Sequence, residues 1–174
     1  MPSKWQPSLR DAWSMDGGEI ISRGGNYSKW SYIEHTDRAF TDFELTADIL
    51  YGAGCNGGIC LRASNGRLDG VNPSGYEVQL LGVETDRNPT GSIYKMPAEG
   101  SVSGVYSARP ELVQPNEWFS VRVVAQGTNL TVFINNEKVA SYADQSEAIR
   151  SGNIILQGSP EGVIRYKDIR IRPL

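Results

Sequence analysis

The chain has 174 residues and a net charge of −3, with 17 Lys and Arg dispersed among 20 Asp and Glu. This balance gives no electrostatic basis for binding nucleic acid or an anionic lipid surface. The 19 Gly and 9 Pro are scattered along the sequence, which favours many short strands joined by tight turns and predicts an all-β protein.

No stretch approaches the ~20 apolar residues of a membrane-spanning helix, and the N-terminal residues are not followed by the apolar core of a signal peptide. We therefore expect a soluble chain with no membrane insertion. The compartment stays open, since a secreted or periplasmic protein whose signal has been removed would show the same pattern. The length fits one domain over residues 1–174, with a core large enough to fold without a metal or a disulfide.

The two cysteines, Cys55 and Cys60, are too few for a disulfide framework. They also lack the repeated paired spacing of a structural zinc site. We expect buried free thiols that folding does not require.

The first part of the chain predicts five strands, two of them in a hairpin. Residues 12–22 predict a hairpin around Asp16-Gly17-Gly18, whose residues tolerate positive φ. A turn at residues 24–26 precedes a short strand over residues 30–34. Residues 43–51 form a long alternating run, with Phe43, Leu45, Ala47, Ile49 and Tyr51 on one face and Glu44, Thr46, Asp48 and Leu50 on the other, which predicts a half-buried strand. Residues 58–62 predict the next strand, with Cys60 and Arg62 on one face.

Residues 75–81 predict a strand with two chemically different faces. Tyr76, Val78 and Leu80 share one side, while Glu77 and Gln79 lie on the other with Leu81. A turn at residues 73–75 opens the strand and Gly82 closes it. The face that carries Glu77 and Gln79 is therefore either plain solvent-exposed surface or a binding surface.

Residues 90–94 predict a short strand that ends at Tyr94, and residues 95–116 predict a long irregular stretch. Loops of this length are often binding or lid elements.

The last third predicts a meander over residues 118–125, 129–134 and 138–140, one helical turn at 146–150, and closing strands at 153–157 and 162–172. About a dozen strands favour two packed sheets over one open sheet. The residues expected in or flanking the inter-sheet core are Trp118, Val121, Val123, Leu130, Val132 and Ile134.

No phosphate loop, nucleophile elbow, zinc-binding helix or dinucleotide fingerprint is present. The only histidine, His35, has no second His or Cys nearby, so no metal site is predicted. Glu77 and Gln79 converge with Arg62, Tyr94 and Lys95 if their strands are neighbours. Carboxylates, amides and aromatic rings suit the hydroxyls and apolar faces of sugars. A cross-strand ion pair between Arg62 and Glu77 is the structural alternative.

Several short blocks, in this order and spacing, resemble the 3-keto-disaccharide hydrolase family. They are residues 42–45, 57–62, 75–79, 90–94, 117–118, 152–157 and 166–174. The resemblance implies a concanavalin A-like jelly-roll sandwich of two antiparallel sheets, and action on oxidised sugars. One departure is at Gln157, which is followed by Gly158-Ser159-Pro160 where the family often has His-Gly.

The resemblance implies an enzyme that cleaves 3-keto-glycosides, including 3-keto-disaccharides. The ketone acidifies the hydrogen on C2, so a base can remove it and the C1 substituent can then leave. We expect Glu77 as the acid or base, Arg62 as the charge stabiliser and Gln79 as an orienting hydrogen-bond partner. Tyr94, Lys95, Gln157 and His35 are expected to bind substrate, with Tyr94, Lys95 and His35 as candidate proton donors.

A non-catalytic carbohydrate-binding module is the alternative, because the same sandwich hosts both functions. No cofactor is expected, although a divalent metal in the place of Arg62 is compatible with the chemistry. The expected partner is a small carbohydrate. The sequence leaves open the natural sugar, the leaving group, hydrolysis against elimination, and the oligomeric state.

Overall fold

The computed structural model describes residues 4–24, 30–64, 72–82, 88–96, 103–106, 112–145 and 149–174. These ranges contain a 3₁₀ helix at Arg10–Ala12 and fourteen strands. The strands are β1 Trp5–Pro7, β2 Trp13–Asp16, β3 Glu19–Ser22, β4 Ser31–His35, β5 Phe43–Tyr51, β6 Asn56–Ser64, β7 Ser74–Leu81, β8 Ile93–Met96, β9 Ser103–Tyr106, β10 Phe119–Gln126, β11 Asn129–Ile134, β12 Glu137–Ala143, β13 Asn153–Gly158 and β14 Ile164–Pro173.

The strands form two seven-stranded sheets in which neighbouring strands are antiparallel. The first sheet has the order β1-β4-β13-β6-β7-β8-β9, and the second has β12-β11-β10-β5-β14-β3-β2. The two sheets pack face to face, as the large number of short strands predicts. The expected jelly-roll sandwich is confirmed. None of the described residues forms a helix long and apolar enough to cross a membrane.

The core lies between the sheets and follows the alternation of the central strands. The apolar face of β5 is fully buried, and Tyr76, Val78 and Leu80 of β7 face it from the first sheet. Of the six residues predicted in or beside the core, all but Trp118 are buried. The Trp118 side chain is 37% exposed, and the Lys167 ammonium lies 3.9 Å from the centre of its ring.

Two strands were not predicted. β1 is only three residues long, and β9 lies within the stretch expected to be irregular. β8 begins at Ile93 rather than Thr90, because residues 89–92 form a turn in which the Ser92 N–H donates to the Pro89 carbonyl at 3.0 Å. The expected helical turn falls largely at 146–148, outside the described residues, and so do positions 25 and 26 of the expected turn at 24–26. Cys55 and Cys60 are free and buried, as expected.

Replacing Val132 with Asp should prevent folding. Val132 is fully buried on β11, between Val123 of β10 and Ala140 of β12. An unpaired carboxylate there costs several kcal/mol, against a net stability of about 5–15 kcal/mol. The matched control is Thr131→Asp, one residue away on the opposite, half-buried face. Circular dichroism melts check this, and a cooperative melt of soluble V132D protein would contradict the core assignment.

Candidate functional site

The outer face of the first sheet carries a continuous row of residues in register across five strands. In spatial order the row is Glu34, Ile155, Cys60, Glu77 and Tyr94. Strand pairing thus places Glu77 in the middle of the sheet, between a thiol and a phenol. Alternation along β7 sends Tyr76 and Val78 to the core and leaves Glu77 on this outer face.

The next row along the same face is rich in amides. Its members are Tyr32, Gln157, Gly58 and Gln79. Gly58 has no side chain, so the space above it in the middle of the sheet is left to a side chain of a neighbouring row. Polar groups lie on both sides of it.

These rows line a cavity of about 210 Å³. The described lining residues are Trp30, Tyr32, Asn56, Asn72, Glu77, Gln79, Tyr94, Met96 and Gln157. Beneath them, Cys60, Ala63 and Ile155 join Tyr32 and Met96 in a small apolar cluster separate from the inter-sheet core. The cavity thus combines an apolar floor with a polar wall, which is the usual composition of a small-molecule site.

Glu77 is buried and has no oppositely charged partner among the described residues. Its exposure is 7%, and no described residue forms a hydrogen bond or ion pair with its carboxylate. Burial alone raises the pKa of Glu77 from its ordinary value of 4.5 to about 8. A strongly perturbed carboxyl in a cleft is a candidate for proton transfer.

Gly58 allows Glu77 to adopt this position. A Cβ at residue 58 would overlap the Glu77 carboxyl oxygen and would lie 2.7 Å from its Cγ and 2.8 Å from its Cδ. The carboxyl group therefore lies across the glycine, against the sheet. Any larger residue at position 58 must displace it.

The amide side chains are held by hydrogen bonds that leave some donors for a ligand. Gln79 Nε2 donates to Asn56 Oδ1 at 3.1 Å, and Gln157 Nε2 approaches Tyr32 Oη at 3.4 Å. The Tyr32 hydroxyl donates to Asn72 Oδ1 at 2.9 Å. Because each amide NH₂ carries two hydrogens, Gln79 and Gln157 each keep an N–H beyond these bonds.

Arg62 does not lie beside Glu77, contrary to the expectation. The register of β6 shifts between Leu61 and Ser64, and Arg62 has a φ of 48°, so the alternation breaks at this residue. Its buried guanidinium donates to the Thr41, Gly127 and Ile149 carbonyls and to Asp42 Oδ1. Arg62 is thus engaged in structural contacts, and the alternative ion pair with Glu77 does not form either.

Lys95 and His35 also lie outside the cavity. Lys95 pairs with Tyr76 in register, on the side away from Tyr94, and forms a 2.8 Å ion pair with buried Asp144. His35 shares the inner face of β4 with Ile33 and packs against the rings of Trp5 and Phe40, with centroid distances of 5.1 and 5.6 Å. Burial lowers the pKa of His35, which favours its neutral form.

The structure therefore brings together Glu77, Gln79, Tyr94 and Gln157 of the predicted residues, and it separates Arg62, Lys95 and His35 from them. Sequence reasoning missed Trp30, Tyr32, Asn56, Asn72 and Met96. Period-2 alternation could have placed Tyr32 and Met96 on one face of their strands, but not on the face shared with Glu77, because strand order is needed for that.

No group of three or more His, Cys, Asp or Glu side chains that could hold a metal ion occurs among the described residues.

The model of the 3-keto-alpha-glucoside-1,2-lyase-like domain matches residues 2–172. The chain belongs to this family. The expected family resemblance is confirmed, and membership of this lyase-like family supports a carbohydrate-active role. A search of curated proteins found no match.

Several solved structures share the fold of this chain at low sequence identity. The carbohydrate-binding module CBM66 from Bacillus subtilis is 15% identical with a TM-score of 0.73, and the match covers 97% of this chain and 95% of that one. A candidate glycosyl hydrolase from Parabacteroides distasonis is 21% identical with a TM-score of 0.70, over 99% and 100% of the two chains. A Bacillus licheniformis β-glucanase is 9% identical with a TM-score of 0.70, over 100% and 94%.

The stability of this lyase-like domain should depend on pH through Glu77. Between pH 4.5 and about 8 the folded protein keeps a proton that the unfolded chain has lost, so this group lowers the free energy of unfolding as the pH rises. Glu77→Gln removes that dependence. The unfolding free energy of E77Q minus that of the wild type should therefore increase as the pH rises through this window, by on the order of a few kcal/mol. Urea titrations from pH 5 to pH 9 measure it, and a constant difference would show that Glu77 is not buried in this way.

Gly58→Ala should lower the pKa of Glu77 by pushing its carboxyl group towards water. The control is Gly52→Ala, whose Cβ meets only ordinary contacts, the nearest being 3.7 Å from Cys55 Sγ. Carbon NMR titration of labelled Glu side chains follows the pKa directly. An unchanged pKa in a folded G58A protein would count against the packing of Glu77 over Gly58.

Proposed function

We propose that the chain cleaves 3-keto-glycosides by removing the hydrogen on C2 and releasing the substituent on C1. The observation that carries this proposal is Glu77, a buried carboxyl with no partner among the described residues, in a cavity the size of a sugar ring. Family membership supports the substrate class, since the family is described as 3-keto-alpha-glucoside-1,2-lyase-like.

The chemistry needs a base whose strength is not reduced by a nearby cation. No basic side chain is among the described residues that line the cavity. With a pKa of about 8, Glu77 is ionised in roughly a tenth of the molecules at pH 7, but its ionised form is a much stronger base than an exposed carboxylate. The apolar floor that destabilises the carboxylate thereby favours transfer of a proton to it.

The negative charge that forms on the C3 oxygen needs hydrogen-bond donors. In place of Arg62, we assign this role to the spare N–H groups of Gln79 and Gln157, which line the same cavity. Tyr94 is the proposed proton donor to the leaving oxygen, because it lies directly opposite Glu77 in the strand register. His35 and Lys95 have no role in the proposed reaction.

The proposed steps balance without a cofactor. The Glu77 carboxylate takes the C2 hydrogen as a proton, and the C–H electrons form an enolate with the C3 ketone. The enolate then re-forms the ketone, a C1–C2 double bond appears, and the C1–O bond breaks as Tyr94 protonates the leaving oxygen. Addition of water across the new double bond would complete a net hydrolysis.

A non-catalytic sugar-binding module is the second candidate. The cavity wall favours it, since four of the described lining residues, Asn56, Asn72, Gln79 and Gln157, are neutral amides. Amides satisfy sugar hydroxyls as both donors and acceptors without any chemical step. Release of product separates the two candidates, because a binding module retains saturable affinity and releases none.

Glu77→Gln should lower turnover of a chromogenic 3-keto-glucoside by roughly 10²-fold or more, the usual scale for a positioned proton-transfer group. Sugar affinity should change much less. The matched control is Glu34→Gln, which alters another carboxylate of the same row, paired with Asn153 and outside the cavity. If E77Q keeps wild-type turnover, Glu77 is not the base.

Equal rates with EDTA and with added divalent cations are expected, because no step of the proposal uses a metal.

The kcat/KM of the wild type should rise with pH and level off above about pH 8. The base must be ionised in the free enzyme, and burial raises the pKa of Glu77 to about 8. The neighbouring Cys60 thiol and Tyr32 hydroxyl have pKa values raised by burial, so neither ionises in this range. A profile that rises near pH 4.5 instead would contradict the assignment of a buried base.

A further inference from the structure

Trp30 stands out among the residues that line the cavity, because it is both aromatic and exposed. It immediately precedes β4, and 42% of its surface is accessible to solvent. A single exposed apolar residue needs no explanation by itself, but an exposed aromatic ring that lines a cavity is available to stack on a bound ligand.

The other tryptophans have structural explanations that Trp30 lacks. Trp5 and Trp13 are buried in the inter-sheet core, with exposures of 8% and 3%. Trp118 is exposed, but the Lys167 ammonium lies over its ring. Among the described residues, no ring or cation stacks on Trp30. Its position at the cavity therefore calls for a different explanation.

The volume of the cavity limits how much of a substrate it can hold. Its volume of about 210 Å³ is below the ~300–1,000 Å³ of sites that enclose drug-sized ligands. A single sugar ring occupies most of such a space, so the second ring of a disaccharide would lie at its open side. Any group attached to C1 of the bound ring must therefore extend towards the mouth.

We propose that Trp30 forms a second subsite, which binds a ring-bearing leaving group by stacking on its apolar face. This inference rests on the proposed function, since it assigns the keto sugar to the Glu77 cavity and the leaving group to Trp30. A second sugar ring presents a face of C–H groups that suits an indole surface, whereas a methyl group presents almost none. Trp30 is thus a specificity-determining residue that favours glycosides of a second sugar over simple alkyl glycosides.

The test compares two substrates with the wild type and three variants. The substrates are a 3-keto-disaccharide and the methyl 3-keto-glycoside of the same sugar, and the variants are Trp30→Ala, Trp30→Phe and Trp118→Ala. W30A should lower kcat/KM for the disaccharide about tenfold, as expected for loss of one aromatic stacking contact, and change that for the methyl glycoside less than twofold. W30F should recover most of the loss. W118A removes an equally exposed tryptophan outside the cavity and should leave both substrates unaffected.

Two outcomes would overturn the subsite. An equal loss on both substrates would make Trp30 part of the first subsite or of the cavity's framework. No loss on either would show that the leaving group does not contact it.

The same comparison by titration calorimetry keeps the subsite testable if turnover is absent. Should no 3-keto-glycoside be cleaved, the proposed reaction fails, but a tenfold loss of disaccharide affinity confined to W30A would still support the subsite. If W30A binds both ligands as the wild type does, or if the wild type binds neither, the subsite is overturned.

Discussion

The site depends on one unfavourable interaction, the burial of the Glu77 carboxyl with no hydrogen-bonding or charged partner in the part of the chain that the structure describes. An isolated ionised carboxylate in an apolar environment is costly, and proteins usually pair it or keep it protonated. Here the lack of a side chain at Gly58 lets the Glu77 carboxyl lie against the sheet, next to the apolar cluster under the cavity. This burial raises the pKa of Glu77 to about 8. The fold tolerates this cost because the inter-sheet core of the described residues is extensive and continuous.

The buried ion pairs of this sandwich lie away from Glu77. Arg62 is among the largest fully buried side chains of the described residues, and it connects β6 to the backbone at Thr41, Gly127 and Ile149 while Asp42 balances its charge. Lys95 and Asp144 form a second partly buried pair away from the cavity. Arg62 and Lys95 could have lowered the pKa of Glu77, but both are engaged in these other contacts. The basicity of Glu77 therefore depends on where these two cations are held.

Strand alternation predicted most of the fold and about half of the candidate site. The alternation of β7 placed Glu77 and Gln79 opposite the core correctly, and short blocks in order predicted the jelly roll. The face predicted for Arg62 was wrong, because a positive φ and a register shift break the period-2 pattern there. Neither feature can be read from the residue types. Strand alternation could not find Tyr32 or Asn56, since their convergence with Glu77 depends on which strands are neighbours.

The most direct test of this account is hydrogen exchange on the substrate itself. A 3-keto sugar whose C1 substituent cannot leave, incubated with the protein in D₂O, should lose its C2–H signal in the proton NMR spectrum while its C4–H signal decays only at the buffer rate. E77Q should slow the C2 exchange by roughly 10²-fold or more. Saturable binding of this sugar with no exchange above buffer at C2 would contradict the account and leave a binding module.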